Sequence, residues 1–259
     1  MLLAPEGNKL STATTADLRY RIATTKQERE AAFRLVYSSY LRSGLGEVND
    51  YRMRVTPYHL LPTTEIFIAE LRGEVIFTMS LVIDGDLGVP MEKVYGEEIA
   101  RLRRQGLRVA EVSCLADRRS DLVRFFPIFL RTSRVLVQYA HRQGLDALVV
   151  AVHPKHARFY RRYFDFRVIG EQKDYPTVRN HPAVALWMEF ARLDRECPAS
   201  YRALLAEPLD EEQLRPHPIS IADCAYFRPM VDPTFQCAPI GDAEDEARDR
   251  STELAACVA

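Results

Sequence analysis

Apolar residues recur along the chain with two periods, and the alternation of those periods lays out the elements. LRYRIAT (18–24) alternates as a strand. Thr25 and Glu28 then form a capping-box pattern, and Phe33, Val36, Tyr37, Tyr40 and Leu41 fall at helical spacing up to a stop at Gly44. The other face of that helix carries Arg29, Arg34 and Arg42. EIFIAEL (65–71) and EVIFTMSLVI (74–83) flank Arg72-Gly73, two β-rich runs around a tight turn. Met91, Val94, Tyr95, Ile99 and Leu102 give a second helical stripe ending at Gly106, interrupted by Gly96. The pattern then predicts a strand over 109–116, and a helix from about Phe125 to His141 in which Pro127 is tolerable only in the first turn. A fully apolar strand follows at 147–152, then a short helix over 155–164 and strands at 166–170 and 184–190. The order β-α-β-β-α-β-α-β-α-β-β describes an α/β fold with a mixed sheet of about seven strands flanked by helices.

Length and charge narrow the reading. The chain has 259 residues, 47% of them hydrophobic, enough for one core with appendages rather than two full domains. We expect a flexible start over 1–17, a main α/β domain over 18–192, an extension over 193–240 packed on that core, and a solvated acidic tail over 241–259. Within the extension, PASYRALLAEPLDEEQL reads as a further helix and the proline-rich 216–239 as an extended wrap. Residues 1–200 carry 30 Lys+Arg against 24 Asp+Glu, and 201–259 carry 5 against 12. So modest a basic excess argues against nucleic acid as partner, though an acidic partner or phosphorylated ligand fits it. No stretch reads as a signal peptide or a transmembrane segment, so a cytoplasmic location is expected. The five cysteines have no CxxC spacing, and His153 and His156 lack companions at ligand spacing, so no metal site is expected.

Two stretches carry a resemblance. GVPMEKVYGEEIARLRRQGLRVAEVSCLAD and HPKHARFYRRYFDF, within this order of elements, resemble the N-acyl amino acid synthases of the GNAT (acyl-CoA N-acyltransferase-like) fold, which are similar to acyl-homoserine-lactone synthases. The resemblance spans roughly residues 18–192. It implies transfer of a long-chain acyl group from an acyl carrier protein thioester to the amine of an amino acid, with no tightly bound cofactor and an acyl-phosphopantetheine thioester, on carrier protein or CoA, as co-substrate. Two alternatives stay open: a CoA-dependent N-acetyltransferase of a small amine, and a noncatalytic protein that binds an acyl ligand.

Glu111 lies mid-strand in VAEVSCLA. Read from the residues alone, it is either a structural carboxylate paired with one of the many arginines or a general base whose pKa is raised by burial. The resemblance favours the second reading, because both synthase families place a Glu on this strand. By the same analogy, backbone N–H groups of Ser113, Cys114 and Leu115 would face the thioester carbonyl as an oxyanion site. Cys114 itself reads as a small core residue rather than a nucleophile. Acetyl-CoA-dependent relatives carry a glycine-rich R/Q-x-x-G-x-G/A loop after this strand, whereas this chain has no glycine between Gly106 and Gly144. Arg118, Arg119 and Arg124 stand there instead, as candidates for contact with a carrier protein or simply as a solvated loop.

Within the second stretch, Tyr160 is the candidate donor of a proton to the leaving thiolate, with Tyr163 as the alternative, and His153 the polar residue that precedes it; packing and backbone capping are their bland readings. Phe125 and Phe126, with Phe129 and Trp187, are candidates for an acyl tunnel or plain core. The lactone synthases use S-adenosylmethionine and show a Trp and two Asp after the first helix, and an Arg shortly after the strand Glu. Here SGLGEVNDYRMRV has Asp50 but no Trp, and Cys114 takes the place of the Arg, which favours a plain amino acid as acceptor. Its carboxylate would be held by Arg34 or Arg54.

Overall fold

A computed structural model describes residues 17–118 and 122–235, without the side chains of Leu122 to Arg124. The chain runs β1 (Leu18–Ile22), α1 (Lys26–Arg42), β2 (Thr64–Leu71), β3 (Glu74–Ile83), α2 (Glu92–Arg104), β4 (Val109–Asp117), α3 (Leu122–Arg142), β5 (Ala147–Val152), α4 (Pro154–Phe164), β6 (Arg167–Tyr175) and β7 (His181–Glu189). The extension adds α5 (Phe190–Glu196), α6 (Ala199–Leu204) and α7 (Ile221–Phe227). The strands form one seven-stranded sheet in the order β1-β2-β3-β4-β5-β7-β6, antiparallel throughout except for β4 beside β5.

Local chemistry sets the boundaries. The Thr25 side chain accepts from the Glu28 N–H while Glu28 reaches back to the cap, which fixes the start of α1. The β2-β3 turn needs left-handed backbone at both central residues, met by Arg72 (φ 53°) and Gly73 (φ 83°). The sheet is filled on both faces. α3 and α4 cover Phe67, Phe77, Leu81, Leu148 and Leu186 on one side. On the other, α1 lies over Ile66 and Ile68 through Phe33, and α2 covers Val109 and Val149 through Tyr95 and Ile99.

Four sequence expectations are corrected. Pro127 sits beyond the first turn, because α3 begins at Leu122 rather than near Phe125. Arg29 is buried, at 2% exposure, and donates to the His217 carbonyl of the extension, so it does not share the outer face of α1. The proline-rich stretch is not wholly extended: Ser220 caps α7, which buries Cys224 and Phe227. β6 and β7 are each longer at the turn between them than the apolar runs predicted. The tail over 241–259 and residues 1–16 lie outside the described residues.

Candidate active site

β4 and β5 are paired only over Val109↔Ala147, Ala110↔Leu148 and Glu111↔Val149. Beyond that point β4 continues along β3, and β5 continues along β7, so the two central strands part and open a cleft in the middle of the sheet. On its other edge β4 carries a bulge, with Ser113 opposite Ser80 and Ala116 opposite Thr78. Cys114 sits in that bulge with φ 51°, a left-handed conformation that redirects the backbone where the cleft begins. Groups of β4 after Glu111 that point toward β5 have no strand partner there among the described residues.

The cleft leads into a cavity of about 160 Å³ walled by Tyr40, Arg54, Glu111, Ser113, Cys114 and His153, among others. At roughly 30 Å³ per water, it accommodates about five waters. That suits a small acceptor and falls below the several hundred Å³ of a drug-sized ligand site.

Glu111 lies in this wall at 3% exposure. It accepts the Met91 N–H at 2.6 Å and forms no ion pair among the described residues. Burial pushes its pKa up to about 8, partly offset by the Met91 N–H. A carboxyl buried without a cation is held near neutrality in the pH range where amines deprotonate, which is the condition for a general base acting on an ammonium.

Arg54 is the cation of the cavity. It is 6% exposed, donates to Asp232 Oδ2 at 2.9 Å and the Thr177 carbonyl at 2.8 Å, and lies between the rings of Tyr40 and Phe235. Its Nε is buried without a hydrogen-bond partner among the described residues.

The remaining candidates divide by position. Ser113 and Cys114 line the cavity, while Leu115 turns its side chain to the core cluster and can offer only backbone. Burial raises the Cys114 pKa, the reverse of what a thiolate nucleophile needs. His153 lines the cavity and caps α4, its Nδ1 accepting the Lys155 N–H at 3.2 Å; burial lowers its pKa. Tyr160 is not on the cavity wall. Its ring packs among Phe129, Phe159, Phe164 and Phe166, and burial raises its pKa; the Tyr40 hydroxyl, raised chiefly by its own burial, lies near enough for Tyr160 to add a little. Tyr163 is exposed.

Arg34 is removed from the site. It stands exposed on the outer face of α1, paired with Glu30 at 2.6 Å, because its helical position is opposite Phe33 and Val36. Phe125 and Phe126 likewise lie off the cavity, packed with Phe77, Phe129, Phe159 and Tyr163 between α3 and α4. Trp187 packs beside Val149 in the core under α2. Arg118 is exposed and pairs with Glu74; Arg119 and the side chain of Arg124 lie outside the described residues. The sequence reading missed Tyr40, Thr177, Asp232 and Phe235. Tyr40 was legible only as one more apolar position of α1, and the others lie in segments without periodicity. No group of three or more His, Cys, Asp or Glu that could hold a metal occurs among the described residues.

Residues 31–189 match the family of the N-acyl amino acid synthase FeeM. The chain belongs to that family. The structure of FeeM from uncultured soil microbes is similar to this one with a TM-score of 0.61 and 26% identity, over 71% of this chain and 97% of FeeM. The acyl-homoserine-lactone synthase LasI shares the fold, with a TM-score of 0.53 and 18% identity over 75% of this chain and 96% of LasI. MesI, a CoA-dependent acyl-homoserine lactone synthase, does so too, with a TM-score of 0.51 and 14% identity over 74% of this chain and 97% of MesI. Comparison with curated proteins gave no match. As a member of the synthase family the protein is an N-acyltransferase of the GNAT fold. No helix among the described residues is long and apolar enough to cross a membrane.

Proposed function

We propose that this acyltransferase moves a long-chain acyl group from an acyl carrier protein thioester to the α-amine of an amino acid in the cytoplasm. The observation that carries the reading is Glu111: a buried carboxyl without a cation, on the wall of a cavity that also holds Arg54, where β4 parts from β5. The acceptor enters as an ammonium with its carboxylate toward Arg54, and Glu111 takes a proton from it directly or through water. The freed nitrogen lone pair attacks the thioester carbonyl, forming the C–N bond, while backbone donors of the β4 bulge around Ser113 and Cys114 receive the developing oxyanion. Collapse breaks the C–S bond and releases the thiolate. The proton that the attached nitrogen sheds as the amide forms passes to the thiolate, on the side where Tyr40 faces the cavity and its hydroxyl can relay it, with His153 at the end of β5 beside this path.

A carrier protein is favoured over CoA as donor because no glycine lies between Gly106 and Gly144, which leaves the loop after β4 without the flexible backbone cradle for a pyrophosphate. Arg118 and Arg119 of that loop, with Arg124 at the start of α3, are the proposed contact for an acidic carrier surface. The test offers long-chain acyl carrier protein and the matching acyl-CoA separately with a pool of amino acids, reading thiol release and product mass. Amide products from the carrier thioester are expected; acylation solely from acetyl-CoA, or none from either donor, overturns the reading.

A further inference from the structure

The strap Val231–Phe235 lies outside the stretch that matches the family, which ends at residue 189, yet its Phe235 lines the cavity and its Asp232 binds the cavity's Arg54. It is anchored beside Val55 by a parallel bridge from Val231 and by the Asp232 N–H donating to the Val55 carbonyl at 2.8 Å. Asp232 is fully engaged. Oδ1 accepts from the Thr234 N–H and hydroxyl, and Oδ2 accepts from Arg54. Phe235 closes the same wall, edge-on to Tyr58, with the Arg54 guanidinium 5.3 Å above its ring. Arg54 is therefore gripped by the strap on two sides, by Tyr40 on a third and by the Thr177 carbonyl. The grip takes one N–H from each terminal nitrogen, so each of those keeps a second N–H, while Nε is sealed from solvent with no partner among the described residues. A guanidinium nine-tenths buried with unmatched donors costs stability, a cost that a carboxylate in the cavity Arg54 lines would offset.

We infer that the strap is a wall of the acceptor site, and that Asp232 is a positioning residue. It turns Arg54 so that the guanidinium meets the acceptor's α-carboxylate, and thereby selects α-amino acids with a free carboxylate over the corresponding amides and simple amines. This rests on the amino acid reading above. It adds that selectivity for the acid resides in a segment beyond the family match, because the partner that orients the arginine comes from there. The Asp232 carboxylate also balances the arginine's charge while the site is empty, so a buried cation is never left bare.

The test compares the full-length protein with Asp232→Asn and Phe235→Ala, with Tm recorded for each. Initial rates are measured with long-chain acyl carrier protein and either the amino acid that the unaltered protein acylates fastest or its carboxamide. Asp232→Asn is expected to raise the acceptor KM by about tenfold, leave the donor KM unchanged, and erase most of the preference for acid over amide. Phe235→Ala is expected to raise the acceptor KM while keeping that preference. A strap that is merely structural would lower rates on acid and amide alike. An Asp232→Asn protein with unchanged or tighter acceptor KM overturns the inference, the tighter case meaning that Asp232 blocks the anion position instead of aiming its partner. Should the unaltered protein acylate no amino acid, the functional reading itself falls, and this inference with it.

Discussion

The Glu111 carboxyl shows how one residue's surroundings fix both chemistry and a cost in stability. Its pKa is raised from an ordinary carboxyl value near 4.5 to about 8 by burial, and the only hydrogen bond to it among the described residues comes from a neutral backbone N–H. As base it must be ionised, so kcat/KM is expected to climb as pH rises toward 8. Because the acceptor amine titrates nearby, the informative quantity is the ratio of rates between the unaltered protein and Glu111→Gln. We predict a loss of 10² to 10⁴-fold in the variant, of the order general-base catalysis contributes. That ratio should itself grow with pH and level off above about 8; a pH-independent ratio would mean that the carboxyl does not titrate in the reaction. Stability moves the other way. The folded carboxyl keeps its proton between about pH 4.5 and 8 while the unfolded chain has released it, so the unfolded state binds fewer protons and stability falls as pH rises through that window. Glu111→Gln lacks this term. It should melt at the same temperature as the unaltered protein at pH 4.5 and at a higher one at pH 8.5, read by calorimetry in the two buffers.

At the scale of elements, the site exists because a strand pair separates and a helix bends. α2 departs from helical backbone at Tyr95 (φ −118°, ψ 37°), and this brings the Tyr95 hydroxyl to the Ala183 carbonyl at 2.6 Å and the Glu171 carbonyl at 3.0 Å. The ring then lies across Gly170 of β6, where a Cβ would come within 2.7 Å of it. Gly170→Ala is therefore expected to cost about 1–3 kcal/mol through overpacking, seen as a lower midpoint in denaturant. The pattern of the sequence predicted the seven strands and α1 to α4, most by a periodic apolar face and β5 by a fully apolar run, but not the short helical turns at Pro57–Leu60 and Pro176–Val178. It placed Glu111 on the central strand and left open whether that carboxyl would meet an arginine. It was silent where periodicity is absent. The continuation of β6 through GEQKDY is polar and mostly exposed between a buried Gly170 and a buried Tyr175, and pairing with β7 and contacts with α2, not apolar periodicity, make it strand. Arg34 and Arg54 were equivalent in sequence. Only the packing of α1 puts the first outside, while the second is carried inward on the segment that leads to the Pro57–Leu60 turn. The phenylalanines of α3 were equally ambiguous, because an aromatic at a helical spacing fits a tunnel and a core alike.

For the whole molecule, the question is whether the C-terminal extension is an appendage or part of one cooperative unit. Arg29 of α1 donates to the His217 carbonyl, Glu65 of β2 accepts the His217 N–H at 2.7 Å, and Gln138 of α3 bonds the carbonyls of Leu204 and Glu207. Phe227 of α7 is completely buried, edge-on to Phe33 of α1 with ring centroids 5.1 Å apart. The extension is thus tied to α1, β2 and α3, and its last turns deliver Asp232 to Arg54. Phe227→Ala removes a buried aromatic from the joint between α7 and α1, a change that costs about 3–5 kcal/mol when the surroundings do not collapse around the cavity. For a cooperative domain of this size, each kcal/mol lowers Tm by about 2–4 °C, so a drop on the order of 10 °C in a single transition is expected. Calorimetry separates the cases. If the extension were independent, the variant would show a new low-temperature transition of small enthalpy and leave the main Tm unmoved. In that event the catalytic region would hold together without the extension, and Arg54 would have to be oriented by Tyr40 and Thr177 alone.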